Sequence, residues 1–194
     1  MEPKDFLPRA NTIMKKVTIE IPDGKILKFQ NGVYVLVDDN VMNRIKTFDD
    51  ACREVTGKSE EEWLAEDVTE SMDEDVLAYL KIRIIVAALN EDWKPTFKDY
   101  ETRYYPYYWL YTKDEWESLS AYEREELEPS ACRVGGASDA GSMSWPLFVS
   151  SAFGWARAGS SFGARLAFKS EELARYAGKQ FFDIFKDFYF NGVL

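Results

Sequence analysis

Residues 17–37, VTIEIPDGKILKFQNGVYVLV, decide the fold class, because their pattern is typical of short strands joined by tight turns. Apolar residues recur in three runs, at 17–21, 26–29 and 33–37. Asp23-Gly24 and Asn31-Gly32 separate these runs, and such dipeptides favour the backbone of hairpin turns. The stretch predicts an N-terminal β-meander of three strands. A meander needs a cover for its apolar face, and we expect the helices that follow to provide it.

Helix starts follow the meander, and each is marked by a hydroxyl residue that can cap the first turn. The marked residues are Thr47 with Asp50, Ser59 with Glu62, Ser71 with Glu74, Thr112 with Glu115, and Ser170 before Glu171 and Glu172. The first two predicted helices are short, and Gly57 closes the first of them. The third runs from Met72 to about Asn90, the fourth covers 113–127, and a long C-terminal helix ends at Asn191-Gly192.

The third helix carries enough apolar residues to be central, packed on more than one side. Its predicted buried stripe has the helical period and consists of Val76, Leu77, Leu80, Ile84, Ala87 and Ala88. Further apolar residues on its other faces are Ile82, Ile85, Val86 and Leu89. The predicted stripe of the C-terminal helix is Leu173, Ala177, Phe181, Ile184, Phe185 and Phe188.

The second half of the chain also contains predicted strands, at 104–111, 147–149 and 162–168. The predicted fold class is therefore α+β, with an antiparallel sheet packed with several helices, an N-terminal β-meander and a long C-terminal helix. We expect a single domain over 1–194, and the alternative is that 1–40 form a small meander lobe.

Composition and charge exclude several functions. The formal net charge of −10 works against nucleic-acid binding, since phosphates need Lys and Arg. The chain has no histidine, which removes the usual general base and the commonest metal ligand. Its two cysteines, Cys52 and Cys132, are far apart and are expected to be small buried hydrophobes. We therefore expect no metal, no cofactor and no catalytic triad, and we predict a protein that is not an enzyme.

The N-terminus carries charges and prolines rather than an apolar run, so no signal peptide is predicted. No stretch has the length of apolar residues that a membrane span requires. We expect a cytoplasmic or virion-associated protein without a membrane segment.

The stretch RYYPYYWLYT, residues 103–112, is the most conspicuous candidate for a binding surface. Tyrosine and tryptophan serve at core margins, at protein interfaces and on sugar-binding platforms, so the pattern leaves core and surface both open. As residues that bind a ligand or partner we single out Tyr107, Trp109, Trp145, Trp155 and Arg157. A protein partner, a homo-oligomer or a glycan fits this set.

Adjacent acids offer a third possibility, an enzyme that uses paired carboxylates. Glu91 with Asp92, and Glu125 with Glu126, are such pairs. Catalysis by two carboxylates needs a cleft and a defined separation, and acids on helices are usually solvated.

Two segments resemble a family of uncharacterised proteins from gut Bacteroidales and their phages or prophages. They are ALNEDWKPTFKDYETRYYPYYWL at 88–110 and GARLAFKSEELARYAGKQFFDIFKDF at 163–188. The family typically has LNEGWKP at a helix end, a YYPW-like aromatic segment and a final GSRLCFKS strand before a helix. The resemblance implies no known activity. Together with the composition it favours a non-enzymatic phage or mobile-element accessory protein that binds a protein partner.

A second resemblance lies in RVGGASDAGSMSWPLFVSSAFGWARAGSSFGARLAF, residues 133–168. This segment is similar to the end of C-type-lectin-like domains of the formylglycine-enzyme type, some of which are receptor-binding proteins of phages. It lacks the calcium-binding EPN or WND motif, so it implies no calcium. The alternative function is thus a lectin-like, ligand-binding domain whose face includes Trp145, Trp155 and Arg157.

Overall fold

The computed structural model describes residues 18–30, 32–66, 72–96, 102–106, 108–110, 113–127, 131–133, 146–148 and 166–190. The chain divides into two compact units, Met1–Asp39 and Asn40–Leu194, and each is described by itself. That the whole chain folds as one domain stays a prediction. The α+β class is confirmed, because antiparallel strands and several helices are both present.

The first unit contains a β-hairpin. Strand β1 (Lys25–Gln30) pairs antiparallel with β2 (Val33–Asp38), with Gln30 opposite Val33 beside the turn at Gly32. Gly24 and Gly32 have φ of 72° and 84°, the left-handed backbone that such turns require. The predicted three-stranded meander is wrong, because residues 18–22 form no strand. Pro22 offers no N–H to a ladder, and Ile19 and Ile21 are about half exposed and gain little burial that would favour pairing.

The second unit begins with three short helices, α1 (Val41–Arg44), α2 (Phe48–Thr56) and α3 (Glu60–Leu64). The predicted caps at Thr47 and Ser59 are confirmed, and each forms a complete capping box. Gly57 ends α2 with φ of 76°, as predicted. Helix α1 was not predicted; Asn40 caps it by accepting a hydrogen bond from the Met42 N–H at 2.9 Å.

Helix α4 (Glu74–Asn90) is the long central helix, packed on α2, α7 and α8. It begins two residues after the predicted start, with Asp73 as its N-cap, and Ser71 lies outside the described residues. The predicted buried stripe is confirmed only in part, since Ala88 is in the core and Leu77, Leu80 and Ile84 pack against it, whereas Val76 and Ala87 are exposed. Val76 is 42% exposed, and the residues that α4 buries are Ala78, Ile82, Ile85, Val86, Ala88, Leu89 and Asn90. Apolar residues surround this helix, so their period alone did not select the face that the neighbouring helices cover.

A small antiparallel sheet lies in the middle of the chain, formed by β3 (Trp109–Leu110), β4 (Ala131–Arg133) and β5 (Pro146–Phe148) in the order β3-β5-β4. Strand β5 confirms the strand predicted at 147–149 as far as Phe148. The strand predicted at 104–111 is only partly formed, as an isolated bridge at Tyr104 and then β3. The strand predicted at 162–168 appears as the other half of that bridge, Phe168, while 162–165 lie outside the described residues.

The charged helix predicted at 113–127 is two helices, α5 (Lys113–Ser118) and α6 (Ala121–Leu127). The break occurs at Ser120, whose hydroxyl accepts from the Glu123 N–H while the Glu123 carboxylate accepts from the Ser120 N–H. This reciprocal pair is the S-x-x-E signature of a helix start. A new helix therefore begins where a continuous one was predicted.

The C-terminal helix is also divided, into α7 (Glu171–Gln180) and α8 (Phe182–Phe190). The predicted cap is confirmed, because the Ser170 hydroxyl accepts from the Leu173 N–H. Phe181 departs from helical geometry, with φ of −112° and ψ of 29°. This break places the adjacent rings of Phe181 and Phe182 in the core, at 4% and 8% exposure. The prediction of one continuous C-terminal helix is therefore wrong.

The core of the second unit joins its first helices to the end of the chain. The largest fully buried side chains among the described residues are those of Phe168, Ile45, Ile82, Ile85, Leu89 and Cys52. The hydroxyl of Tyr176 on α7 lies 2.7 Å from the carbonyl oxygen of Ile45 and 3.0 Å from that of Met42. The buried position of Cys52 was predicted, and the side chain of Cys132 is outside the description.

Candidate functional site

The side chains of the binding residues predicted from sequence lie outside the described part of the chain. This holds for Tyr107, Trp145, Trp155 and Arg157. Trp109 begins β3, where the structure describes the backbone alone. The predicted surface, glycan-binding or otherwise, stays a prediction.

The described part of RYYPYYWLYT packs against the core. The hydroxyl of Tyr108 donates to the carbonyl oxygen of Gly178 at 3.1 Å, and its ring lies 5.7 Å from that of Phe182. Pro106 is buried, and a Cβ added at Gly178 would lie 2.9 Å from the Pro106 Cβ. Tyr104 is half-buried and bridges Phe168 through both backbone hydrogen bonds. These residues are therefore structural, at the margin of the core.

The structure instead draws attention to the C-terminal end of α4. Glu91 follows the helix with φ of 55° and ψ of −123°, and it is the sole non-glycine residue of the described ranges with positive φ. Such a backbone costs about 1–3 kcal/mol and persists where its surroundings hold it. It begins a turn closed by a hydrogen bond from the Trp93 N–H to the Asn90 carbonyl oxygen at 3.1 Å.

Three charged residues from distant segments hold this turn, and we call them the α4 junction: Arg44, Glu91 and Lys169. The Glu91 carboxylate accepts from Arg44 at 2.5 Å and from Lys169 at 3.2 Å. Arg44 also contacts Glu54 at 3.4 Å, and its side chain is only 9% exposed. Burial alone raises the pKa of the Glu91 carboxyl, but hydrogen bonds from Lys169 and Arg44 outweigh burial and leave that pKa below its ordinary value. Glu91 is therefore an ionised group that two cations hold in place.

Asn90 ties the same helix end to the segment before α7. Its amide nitrogen donates to the Ala167 carbonyl oxygen at 2.7 Å, and its amide oxygen accepts from the Lys169 N–H at 2.9 Å. Asn90 is 3% exposed, so it satisfies backbone groups that water does not reach easily.

A cavity of about 340 Å³ opens beside this turn, and we call it the α4 cleft. Its apolar lining consists of Val86, Ala87, Trp93 and Pro95. The cations Arg83 and Lys94 line it as well, together with Glu91 of the junction. Small-molecule sites commonly have this size and this mixture of apolar walls and a few polar groups.

The hairpin of the first unit offers a different kind of surface. The Asp39 N–H donates to the Gly24 carbonyl oxygen at 3.0 Å. The hydrogen-bonded pairs of the hairpin are therefore every second facing pair, from Gly24 with Asp39 to Gln30 with Val33. Tyr34 and Leu36 lie at the intervening positions, where backbone N–H and C=O groups point away from β1. We call these outward groups the β2 edge. In the described ranges no strand pairs with it, and the Tyr34 and Leu36 residues are 66% and 49% exposed.

Sequence reasoning missed the α4 junction, the α4 cleft and the β2 edge. Arg44, Glu91 and Lys169 are far apart in sequence, so no local pattern could join them. Nothing in the sequence indicated a cavity beside Trp93. A signal for the β2 edge was present, since 33–37 is an uncharged run.

The described ranges offer neither a metal-binding cluster nor a helix that could span a membrane. These ranges contain no cluster of three or more His, Cys, Asp and Glu side chains suited to a metal ion. No helix there has both the length and the apolar character needed to cross a bilayer.

Comparison of the chain with protein-family models, curated proteins and solved structures finds no significant match to any of them. The resemblances described above therefore stay predictions.

Proposed function

We propose that this protein is a binding protein rather than an enzyme, and that an extended segment of a partner polypeptide adds along the β2 edge as a third strand. The β2 edge carries the proposal, because it combines outward backbone groups with exposed Tyr34 and Leu36. Exposed apolar edges recruit further strands unless charge, proline or another element covers them. A two-stranded hairpin is also only marginally stable in water, so a third strand would stabilise it.

The two edges of the hairpin differ, and the difference favours β2. Strand β1 carries Lys25 and Lys28, and charged side chains are a common protection of open edges. Residues 33–37 of β2 have no charge. An incoming strand therefore meets less desolvation cost at β2 than at β1.

The chemistry of the partner segment follows from the hairpin. Main-chain hydrogen bonds supply affinity in strand addition, and alternate side chains supply specificity. Alternating apolar residues would cover Tyr34 and Leu36. The ring of the neighbouring Phe29 lies 5.0 Å from that of Tyr34, with the two planes tilted by 58°. Asp39 is exposed at the end of β2, so a basic residue at that end of the partner complements it. The chain's net charge of −10 also favours a basic partner segment.

A selection from a displayed library of random peptides tests this proposal, with the full chain as bait. Selected peptides are expected to alternate apolar residues and to carry a basic residue at one end. Leu36→Pro removes an outward N–H without removing a ladder bond, and should weaken binding of the selected peptides at least about tenfold. Leu27→Pro makes the same change at the position opposite, on the β1 edge, and should leave binding unchanged.

Several results would overturn the proposal. They are a selection without enrichment, peptides insensitive to Leu36→Pro, and peptides equally sensitive to Leu27→Pro. Leu36→Lys keeps the N–H but places a charge on the edge, so it provides a second test if circular dichroism shows that a proline variant does not fold. Light scattering distinguishes a second copy: a dimer that Leu36→Pro dissociates would assign the β2 edge to self-association instead.

The resemblance to Bacteroidales phage and prophage proteins supports a role as an accessory protein of a mobile element. A partner encoded by the same element would fit that role.

A further inference from the structure

We propose that the α4 cleft binds a small molecule that has one anionic group, a carboxylate or a phosphate, attached to a flat apolar body. In this arrangement Arg83 and Lys94 hold the anion, and Trp93 and Val86 contact the body. The proposal concerns the second unit alone and does not depend on the function proposed for the hairpin.

The dimensions and walls of the cleft suit such a body. A cavity of about 340 Å³ is within the range of small-molecule sites and too small for a peptide helix or strand. Trp93 is half-buried, which leaves part of its ring available to a ligand, and Val86, which is 3% exposed, lines the same cavity. A planar group that lies on an indole gains contact at little entropic cost.

The cations of the cleft have no acidic partner among the described residues. Within the described ranges neither Arg83 nor Lys94 forms an ion pair, although acids outnumber bases in the chain by 34 to 24. The Arg83 guanidinium lies over the Tyr79 ring, 5.9 Å from its centroid, a contact that positions the charge without cancelling it. An anion would complete this site with charge-assisted hydrogen bonds.

Two negative features near the cleft do not reverse this charge. Glu91 lines the cleft, but its carboxylate is already bound by Arg44 and Lys169. The end of α4 brings a partial negative charge of about half an electron. The Ala88 and Asn90 carbonyls there accept backbone bonds from Glu91 and Trp93. Two full positive charges therefore dominate the open part of the cleft.

Calorimetric titration of the full chain with three naphthalene probes tests the inference. The probes are 2-naphthoate, 2-naphthyl phosphate and the neutral naphthalene-2-carboxamide. We expect saturable binding of one anionic probe per chain, at least about tenfold tighter than the carboxamide. Whichever anion binds more tightly identifies the natural ligand as a carboxylate or a phosphate.

Variants assign the binding to the cleft. Lys94→Gln and Arg83→Gln should each weaken binding of the anionic probe about tenfold and leave binding of the carboxamide unchanged. Arg83→Lys keeps the positive charge, so it should bind the anionic probe more tightly than Arg83→Gln does. Lys179→Gln, an equivalent change at an exposed lysine of α7, is the control and should have no effect. The inference is overturned if no anionic probe binds below about 1 mM, if the carboxamide binds as tightly, or if the cleft variants behave like the control.

Discussion

Asn90→Asp changes one buried amide to a carboxylate of the same shape, and it tests how the end of α4 is held. The amide nitrogen that donates to the Ala167 carbonyl at 2.7 Å becomes an oxygen that repels it. The bond from the Lys169 N–H to the other oxygen is retained. Because Asn90 is 3% exposed and Ala167 is 2% exposed, water cannot replace the lost donor. An unsatisfied buried carbonyl costs about 1–3 kcal/mol, and desolvation of the new charge adds to it, so we expect a loss of about 3 kcal/mol at pH 7.

Acid should reverse much of this loss. Burial and the facing carbonyl favour the neutral form, so the pKa of the introduced carboxyl is raised in the folded state. A carboxyl whose pKa is higher in the folded than in the unfolded state destabilises the fold. The full penalty applies above the folded-state pKa, and it vanishes below the unfolded-state pKa, which is near 4. The protonated group donates to the Ala167 carbonyl as the amide did. The difference from the natural chain should therefore shrink steadily from pH 7 to about pH 4.

Urea unfolding followed by circular dichroism measures both effects, with the natural chain compared at each pH. A loss of about 3 kcal/mol corresponds to a midpoint shift of about 1.5 M at pH 7. Gln180→Glu is the matched control, because its amide donates to the Lys46 carbonyl at 2.7 Å but is exposed. Water replaces that donor, and we expect a loss below about 1 kcal/mol. Equal losses for the two variants, or no pH dependence, would refute the reasoning.

Two further predictions concern other contacts of the second unit. Gly178→Ala should destabilise it by about 1–2 kcal/mol in urea, because the new methyl would lie 2.9 Å from the rigid Pro106 ring and outweigh the helical preference for Ala; a stabilised variant would contradict this. Glu91→Gln should lower the free energy of unfolding by about 1–2 kcal/mol at pH 7, because it removes the negative charge that pairs with Arg44. Since the folded pKa of Glu91 is lowered, its stabilisation is lost as pH falls through that value. The cost should therefore begin to shrink as pH falls below the unfolded pKa of about 4.3 and disappear below the lowered folded pKa, and a pH-independent cost would contradict the ion-pair explanation.

Local signals in the sequence predicted local structure well. The caps at Thr47, Ser59 and Ser170 and the end of α2 at Gly57 were all predicted, because each depends on residues within one turn. The start of α6 could also have been predicted, since Ser120 and Glu123 have the same spacing.

Features that depend on distant residues could not be predicted in this way. Whether Val76 or Ile82 of α4 is buried depends on which side α2, α7 and α8 approach, and an all-round apolar helix does not reveal that side. The α4 junction joins residues more than a hundred positions apart at its extremes, Arg44 and Lys169. Its strongest indication, the positive φ of Glu91, is a property of the folded backbone and not of a residue type.

The contacts between the two ends of the second unit also bear on how this protein forms during synthesis. Tyr176 reaches the carbonyls of Met42 and Ile45, and Phe168 at the centre of the core pairs with Tyr104. Helices α1 to α4 leave the ribosome well before α7 and α8, and until then the apolar surface that α7 and α8 cover stays exposed. Contacts of such large sequence separation slow folding and prolong exposure. Nascent chains that end before residue 166 should therefore remain protease-sensitive and rely on chaperones until the last two helices emerge.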